Sequence, residues 1–351
     1  MSDKIVVTNN KLLYIYILKC IAILMVLFNH TQAYWGALVD DIGLLFVSKA
    51  ILAFLCKAGV PIFFMCSGIL LLNREESLLH LIKHRIGRIV VVMLIFAAIY
   101  TYSDLTIQNY FVALTTSLSW YLYAYLGYLI MLPMLRKIFK NATKKEAFIF
   151  ICVVAFLYFL DGVTLVNWMN PLRLLMSFLP LYYGAGTHGA WELIYPLIGA
   201  FSVSLFSDEQ WRKHLLTLLG IGCIVSFTFS VFFSYEDKLL FNGNNAEMLR
   251  QDFIVIPSAC VLIFVCSFSR CVRNVKIIKM FENIASATFG VFLFETCSEI
   301  KNIWRPFKVL VYEQLGTGGY VSGIIGVFID FSIFVTITLI LKKIPIVKRL
   351  L

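Results

Sequence analysis

The chain has 351 residues, 60% of them hydrophobic and 14% charged, with a mean hydropathy of +0.86. Soluble domains stand nearer half apolar and a quarter charged, so a soluble globular fold is excluded in favour of one polytopic, all-α membrane domain over residues 1–351. The formal charge of +10 raises nucleic acid as a partner, but the positions of the cations point elsewhere.

The N-terminal stretch MSDKIVVTNNK carries no signal-peptide cleavage signature, so the first apolar run is expected to be a retained helix. Apolar runs separated by polar breaks predict about ten transmembrane spans. They fall near 12–35, 46–72, 87–103, 114–135, 147–162, 190–206, 215–234, 253–269, 284–300 and 320–341. The stretch 163–189 is apolar but broken by Pro171, Pro180 and the glycines of YYGAGTHG, and reads as a loop packed on the protein or dipping into the interface. No internal repeat or low-complexity segment is evident. The nine cysteines form no CxxC pair and mostly lie in apolar runs, which fits small buried thiols and argues against a metal site.

Charge sets the expected sidedness. With the N-terminus in the cytoplasm, 21 of the 30 Lys and Arg residues fall on inner segments and six on outer ones, while Asp40, Asp41, Asp104 and Asp161 fall outside. This is the positive-inside pattern, and it places both termini in the cytoplasm. The net charge is therefore a topology signal, and no nucleic acid partner is expected.

Ionisable groups within spans are costly and are functional candidates by default. Lys19 and His30 lie eleven residues apart in the first span, close to three full helical turns, so both face one side about 16 Å apart along the axis. Histidine can take a proton from a hydroxyl near neutral pH, as a general base must. It can equally bond across to another helix. Arg85 and Arg88, where the third span leaves the cytoplasm, are nearly one turn apart. Their fork-shaped donors suit the phosphates of a nucleotide carrier or of lipid headgroups, while plain membrane anchoring is the simpler reading. In the second span Pro61 is expected to interrupt the helix. Gly59, Ser67 and Gly68 allow close approach, and Lys57 lies near the outer end. In the ninth span Glu295 and Glu299 share a face and need a cation or a shared proton, which Lys57 or Lys19 could supply. Asp252 and Asp330 read as polar contacts.

Taken together these residues resemble the acyltransferase-3 family of integral-membrane acyltransferases. The likeness is greatest to its small stand-alone bacterial O-acetyltransferases, of the kind acting on enterobacterial common antigen. The matching features are Lys19 and His30 separated by ten residues, Lys57 with VPIFFMCSGILLL, Arg85-x-x-Arg88, WYLYAYLGYLIMLPML from Trp120, and SATFGVFLFE from Ser286. The chain departs from the family pattern in having Lys19 for arginine, Ser119 for histidine and Glu295 for a late histidine.

The resemblance implies a donor, acetyl-CoA or another acyl-CoA, reached from the cytoplasmic side near Arg85 and Arg88, with no cofactor held by the protein. It implies transfer to a sugar hydroxyl of a surface glycan or its lipid-linked precursor in a bacterial inner membrane, with His30 essential. Lys19 joins His30 as a catalytic candidate, and Lys57, Trp120 and Glu295 are supporting ones. Intramembrane Lys, His and Glu also build proton relays, so a transporter or flippase is the alternative.

Overall fold

The computed structural model describes residues 12–31, 44–102, 104, 106–164, 191–241, 254–297, 300, 303, 306 and 319–351, and among them there are helices and no strands. Helix α1 (Leu13–Thr31) contains no Pro or Gly and is largely apolar, with Lys19 the charged residue inside it. Helices α2 (Leu44–Cys56) and α3 (Gly59–Leu71) follow. A turn at Leu78–His80 passes through a π-helical segment, Leu81–Ile86, into α4 (Gly87–Tyr100). Next come α5 (Ile107–Val112), a second π-helical turn at Ala113–Ser117, and α6 (Trp120–Asn141). The remainder is α7 (Lys144–Thr164), α8 (Trp191–Phe206), α9 (Glu209–Phe241), α10 (Val255–Ser269), α11 (Val275–Thr296), α12 (Gly319–Leu341) and the short α13 (Pro345–Leu350).

Among the described residues six segments are long and apolar enough to cross a membrane: Leu13–His30, Ile51–Leu71, Trp120–Asn141, Glu209–Phe232, Val275–Thr296 and Gly323–Leu341. Leu193–Phe206 and Val255–Ser269 are shorter apolar helices. The chain is thus a multi-pass helical membrane protein.

Three boundaries differ from expectation, each for a local reason. Pro61 does not interrupt the second span. The break falls at Lys57–Ala58, and Pro61 sits in the first turn of α3, where a missing N–H has no intrahelical partner to lose. The fourth run is not one helix from 114. Leu118 and Ser119 are non-helical (ψ 148° and 130°), so α6 starts at Trp120 and extends to Asn141. Helix α9 continues beyond residue 234 to Phe241, a 33-residue rod of about 50 Å, longer than the ~30 Å hydrocarbon core. Most of the expected loop at 163–189, together with Asp40, Asp41, Asp252 and Glu299, lies outside the described residues.

Polar ends are capped by side chains. Thr143 and Glu146 form a reciprocal pair at the start of α7: Thr143 N donates to Glu146 Oε2 at 2.8 Å and Glu146 N to Thr143 Oγ1 at 3.2 Å. The Thr143 N–H holds the Glu146 carboxyl below its ordinary range. Asn274 caps α11 by accepting from Lys276 N at 2.9 Å.

The centre of the molecule is α1, which packs on α3, α10, α11 and α12, and α3, which packs most extensively on α8. Glycine sets these separations. A Cβ at Gly68 would fall on the Pro196 carbonyl of α8, and one at Gly199 would lie 2.6 Å from the Met65 Cα of α3. At Gly59 a Cβ would come within 2.9 Å of the Ala22 oxygen of α1. Main chain meets main chain at both crossings, the form of packing that small residues permit within a membrane. Overpacking an ordinary core costs about 1–3 kcal/mol, and here the obstacle is backbone. Gly68→Leu is therefore expected to lose the folded peak in fluorescence-detected size exclusion. Gly220→Ala, where a Cβ meets nothing within 4 Å, should run like the parent.

Candidate active site

A cavity of about 380 Å³ opens between α1, α3, α4, α6 and α11. Its cations are Lys19 from α1, Arg85 from the π-helical segment and Arg88 from α4, joined by His80 and His84. Among the described residues no Asp or Glu lines it. Its other walls are apolar and aromatic, with Val26, Phe63, Tyr121, Tyr125 and Phe292 prominent. The structure therefore brings together the three cations singled out from separate motifs, and adds a histidine pair whose rings stand 4.4 Å apart.

The π-helical segment shapes the cationic wall. A π-turn holds more residues than an α-turn, so it changes which side chains share a face. His80, His84, Arg85 and Arg88 all reach the cavity across it. Each arginine is also gripped from behind. Arg85 Nε donates to Glu76 Oε1 at 2.9 Å and Oε2 at 3.1 Å. Arg88 Nε donates to Leu350 O at 2.9 Å and Nη2 to Leu351 O at 3.0 Å, and its guanidinium carbon lies 5.3 Å from the Phe289 ring centroid. The positive field reaches past the cavity. Lys342, which donates to Ser286 O at 2.8 Å, has its pKa lowered by desolvation first and then by Arg88, Lys348 and Lys19. Glu76 is the counterweight. Burial would raise its pKa, but hydrogen bonds from Arg85 and Arg136 hold the carboxyl below its ordinary value.

His30 does not line this cavity. It ends α1, with its side chain 34% exposed, and its Nδ1 lies 3.8 Å from Oε1 of Glu295, whose side chain is 1% exposed. That separation is ion-pair reach and longer than a hydrogen bond. Helices α1 and α11 run in the same direction, since Cys20 Sγ meets Phe281 O at 3.9 Å near one end and His30 meets Glu295 at the other. Lys19 and His30 cannot touch, being eleven residues apart on one helix. The wall joins them: Val26 lies one turn before His30, and Phe292 lies three residues before Glu295. Glu295 thus faces His30, a partner not considered from sequence.

Lys57 sits in the turn between α2 and α3, and Trp120 opens α6 with its ring 6.3 Å from that of Tyr121; neither lines the cavity. Sequence reasoning passed over Tyr121 and Tyr125, which stack at 5.9 Å and 19°. Their i, i+4 spacing was the available signal. Ser67, His80, His84 and Thr288 were also missed as lining residues.

The fold is thus a bundle of apolar helices around a pocket whose charged lining residues, among those described, are Lys19, Arg85 and Arg88. The chain matches the acyltransferase-3 family, described as an acyltransferase domain, over residues 12–341, and it belongs to that family. Membership decides for a membrane acyltransferase over a transporter. No curated protein and no solved structure matches the chain.

The grip of α13 on Arg88 is testable. Removing the guanidinium by Arg88→Ala should release the Leu350 and Leu351 carbonyls, and trypsin cleavage after Lys348 and Arg349 should accelerate about tenfold. Unchanged cleavage would mean that α13 is held by its packing alone.

Proposed function

We propose that this protein moves an acetyl group from acetyl-CoA to a sugar hydroxyl of a cell-surface polysaccharide or its lipid-linked precursor, in the inner membrane of a bacterium and with both termini cytoplasmic. The reading is carried by one observation: Lys19, Arg85 and Arg88 converge on a cavity that no described Asp or Glu lines. A nucleotide donor with several phosphates needs that arrangement. The basic inner segments, counted from the sequence, support an approach to Arg85 and Arg88 from the cytoplasm, the side where acyl-CoA is found.

The donor's phosphates rest against Arg85, Arg88 and Lys19. The acyl-bearing arm lies along Val26, Tyr121 and Phe292 and arrives within one helical turn of His30 and Glu295. His30 accepts the proton of the acceptor hydroxyl as its oxygen attacks the thioester carbonyl. The C–S bond breaks, and the departing thiolate takes the proton back from the imidazolium. Glu295 supports the imidazolium while it is charged, and the apolar wall keeps water from competing for the thioester. Lys19 acts at the donor end, bearing on His30 only through the shared helix.

His30→Ala should abolish transfer, because general-base catalysis contributes about 10²–10⁴-fold. Insertion should survive, because a polar side chain leaves a span. Lys19→Arg should keep activity and Lys19→Leu should lose it. The measurement is acetyl incorporation into glycan in membranes holding equal amounts of each variant, read by mass spectrometry as the gain of acetyl groups. Transfer by His30→Ala at the parent rate would remove the base from this scheme.

For the sidedness, a single cysteine at Lys140 in a cysteine-free background should react with a membrane-impermeant maleimide only after the membrane is opened. Labelling of intact cells would invert the assigned orientation.

A further inference from the structure

Glu76 lies outside the cavity, yet it is the acidic group tied most closely to the cavity's cations. Its side chain is 4% exposed in the segment between α3 and the π-helical turn. Both oxygens are engaged. Arg85 Nε reaches Oε1 and Oε2, Arg136 Nη2 reaches Oε1 at 2.9 Å, and Arg74 Nε stands 4.0 Å from Oε2. Arg136 in turn donates from Nε to Leu71 O at 3.0 Å, closing the end of α3. One carboxylate thus joins α3, the π-helical segment and α6, three of the elements that wall the cavity.

The way Arg85 is held matters more than the fact that it is held. Glu76 takes only its Nε edge. Among the described residues neither terminal amino group of Arg85 has a hydrogen-bond partner, and Arg85 lines the cavity. A free arginine side chain samples many rotamers and must be ordered when a ligand arrives, whereas one fixed through Nε presents its amino groups already placed. A carboxylate this close also offsets part of the cationic field that would attract the donor. Charge and placement therefore act on affinity in opposite directions, and this separates the two roles.

We propose that Glu76 is a positioning residue for the acyl donor, fixing the Arg85 guanidinium so that its two amino groups face the donor's phosphates. The inference rests on the donor reading given above. Arg136 belongs to the same network without lining the cavity, so it serves as the structural control.

The test uses the full-length protein in nanodiscs, with CoA as the probe in calorimetric titration and acetyl-CoA in steady-state kinetics. Glu76→Gln is expected to weaken CoA by about tenfold, the scale of one charge-assisted contact. The KM for acetyl-CoA should rise by the same factor, with kcat within about twofold. In an Arg85→Ala background Glu76→Gln should add nothing, because the group it positions is gone. Arg136→Gln should leave CoA affinity near the parent's.

Glu76→Gln binding CoA as tightly as the parent, or more tightly, would overturn the proposal and leave Glu76 a counter-charge. Equal losses in Glu76→Gln and Arg136→Gln would overturn it in favour of a fold clamp. Should Glu76→Gln fail to fold, Glu76→Asp in the parent and Arg85→Ala backgrounds decides: weaker CoA only in the former supports positioning, and any other pattern refutes it. A parent protein that binds no CoA would remove the donor reading itself, and this inference with it.

Discussion

The cavity exists because α3 is pulled tightly against its neighbours on one side and left open on the other. Gly68 and Met65 of α3 meet Pro196 and Gly199 of α8 at backbone distance, and Gly59 meets α1. Val60, Phe63 and Ser67 recur at the spacing of a different stripe of the same helix, and these line the cavity. Apolar association contributes little between helices in lipid, so such contacts depend on shape and close van der Waals approach. Were the α3–α8 crossing wider, α3 would shift toward α1 and α6, and the room between Lys19, Arg85 and Tyr121 would close.

Around that opening the arginines are held from behind by acceptors of the protein. Arg88 spends part of its donor capacity on main-chain carbonyls and an aromatic face, and Arg85 spends its Nε edge on a buried carboxylate. Cations within a low-dielectric bundle have to be solvated by the protein, and these acceptors do it from behind. The front of the cavity stays cationic as a result. His30 and Glu295, at the far end of α1 and α11, form a separate pair in which the carboxylate is buried and the imidazole is partly open, an asymmetry that suits the proposed general base.

How much of this could be read from the residues alone varies with its physical origin. Helix positions followed from apolar runs, and Lys19, Arg85 and Arg88 were each found because charge at a membrane boundary is conspicuous. Their convergence was not visible, since it depends on the packing of α1 against α11 and on the π-helical segment, neither of which leaves a mark in hydropathy. Pro61 misled because proline is a helix breaker only in the interior, and nothing short-range says that the chain breaks at Lys57–Ala58 instead. Glu295 was flagged by its cost in a span, yet its partner was sought among lysines, because an imidazole at the end of another helix is identified only by the parallel course of the two. Glu76 was overlooked for the opposite reason: a carboxylate beside Arg74, Glu75 and Ser77 reads as an ordinary solvated loop, and its burial is created by Arg85 and Arg136 arriving from later in the chain.

The π-helical segment Leu81–Ile86 uncouples the cationic wall from the rest of α4. Because its wider turns accommodate one residue more than an α-turn would, the angular offset between His80 and Arg88 is set by that short insert, while the apolar helix beyond Gly87 keeps its own register in the bundle. Loss of one residue ahead of His84 would rotate His80 by about 100° relative to His84, Arg85 and Arg88, while the apolar helix beyond Gly87 kept its register. Length variation at this point in related chains would thus retune which side chains face the cavity together, and an alignment that spreads a gap evenly along the helix would conceal it.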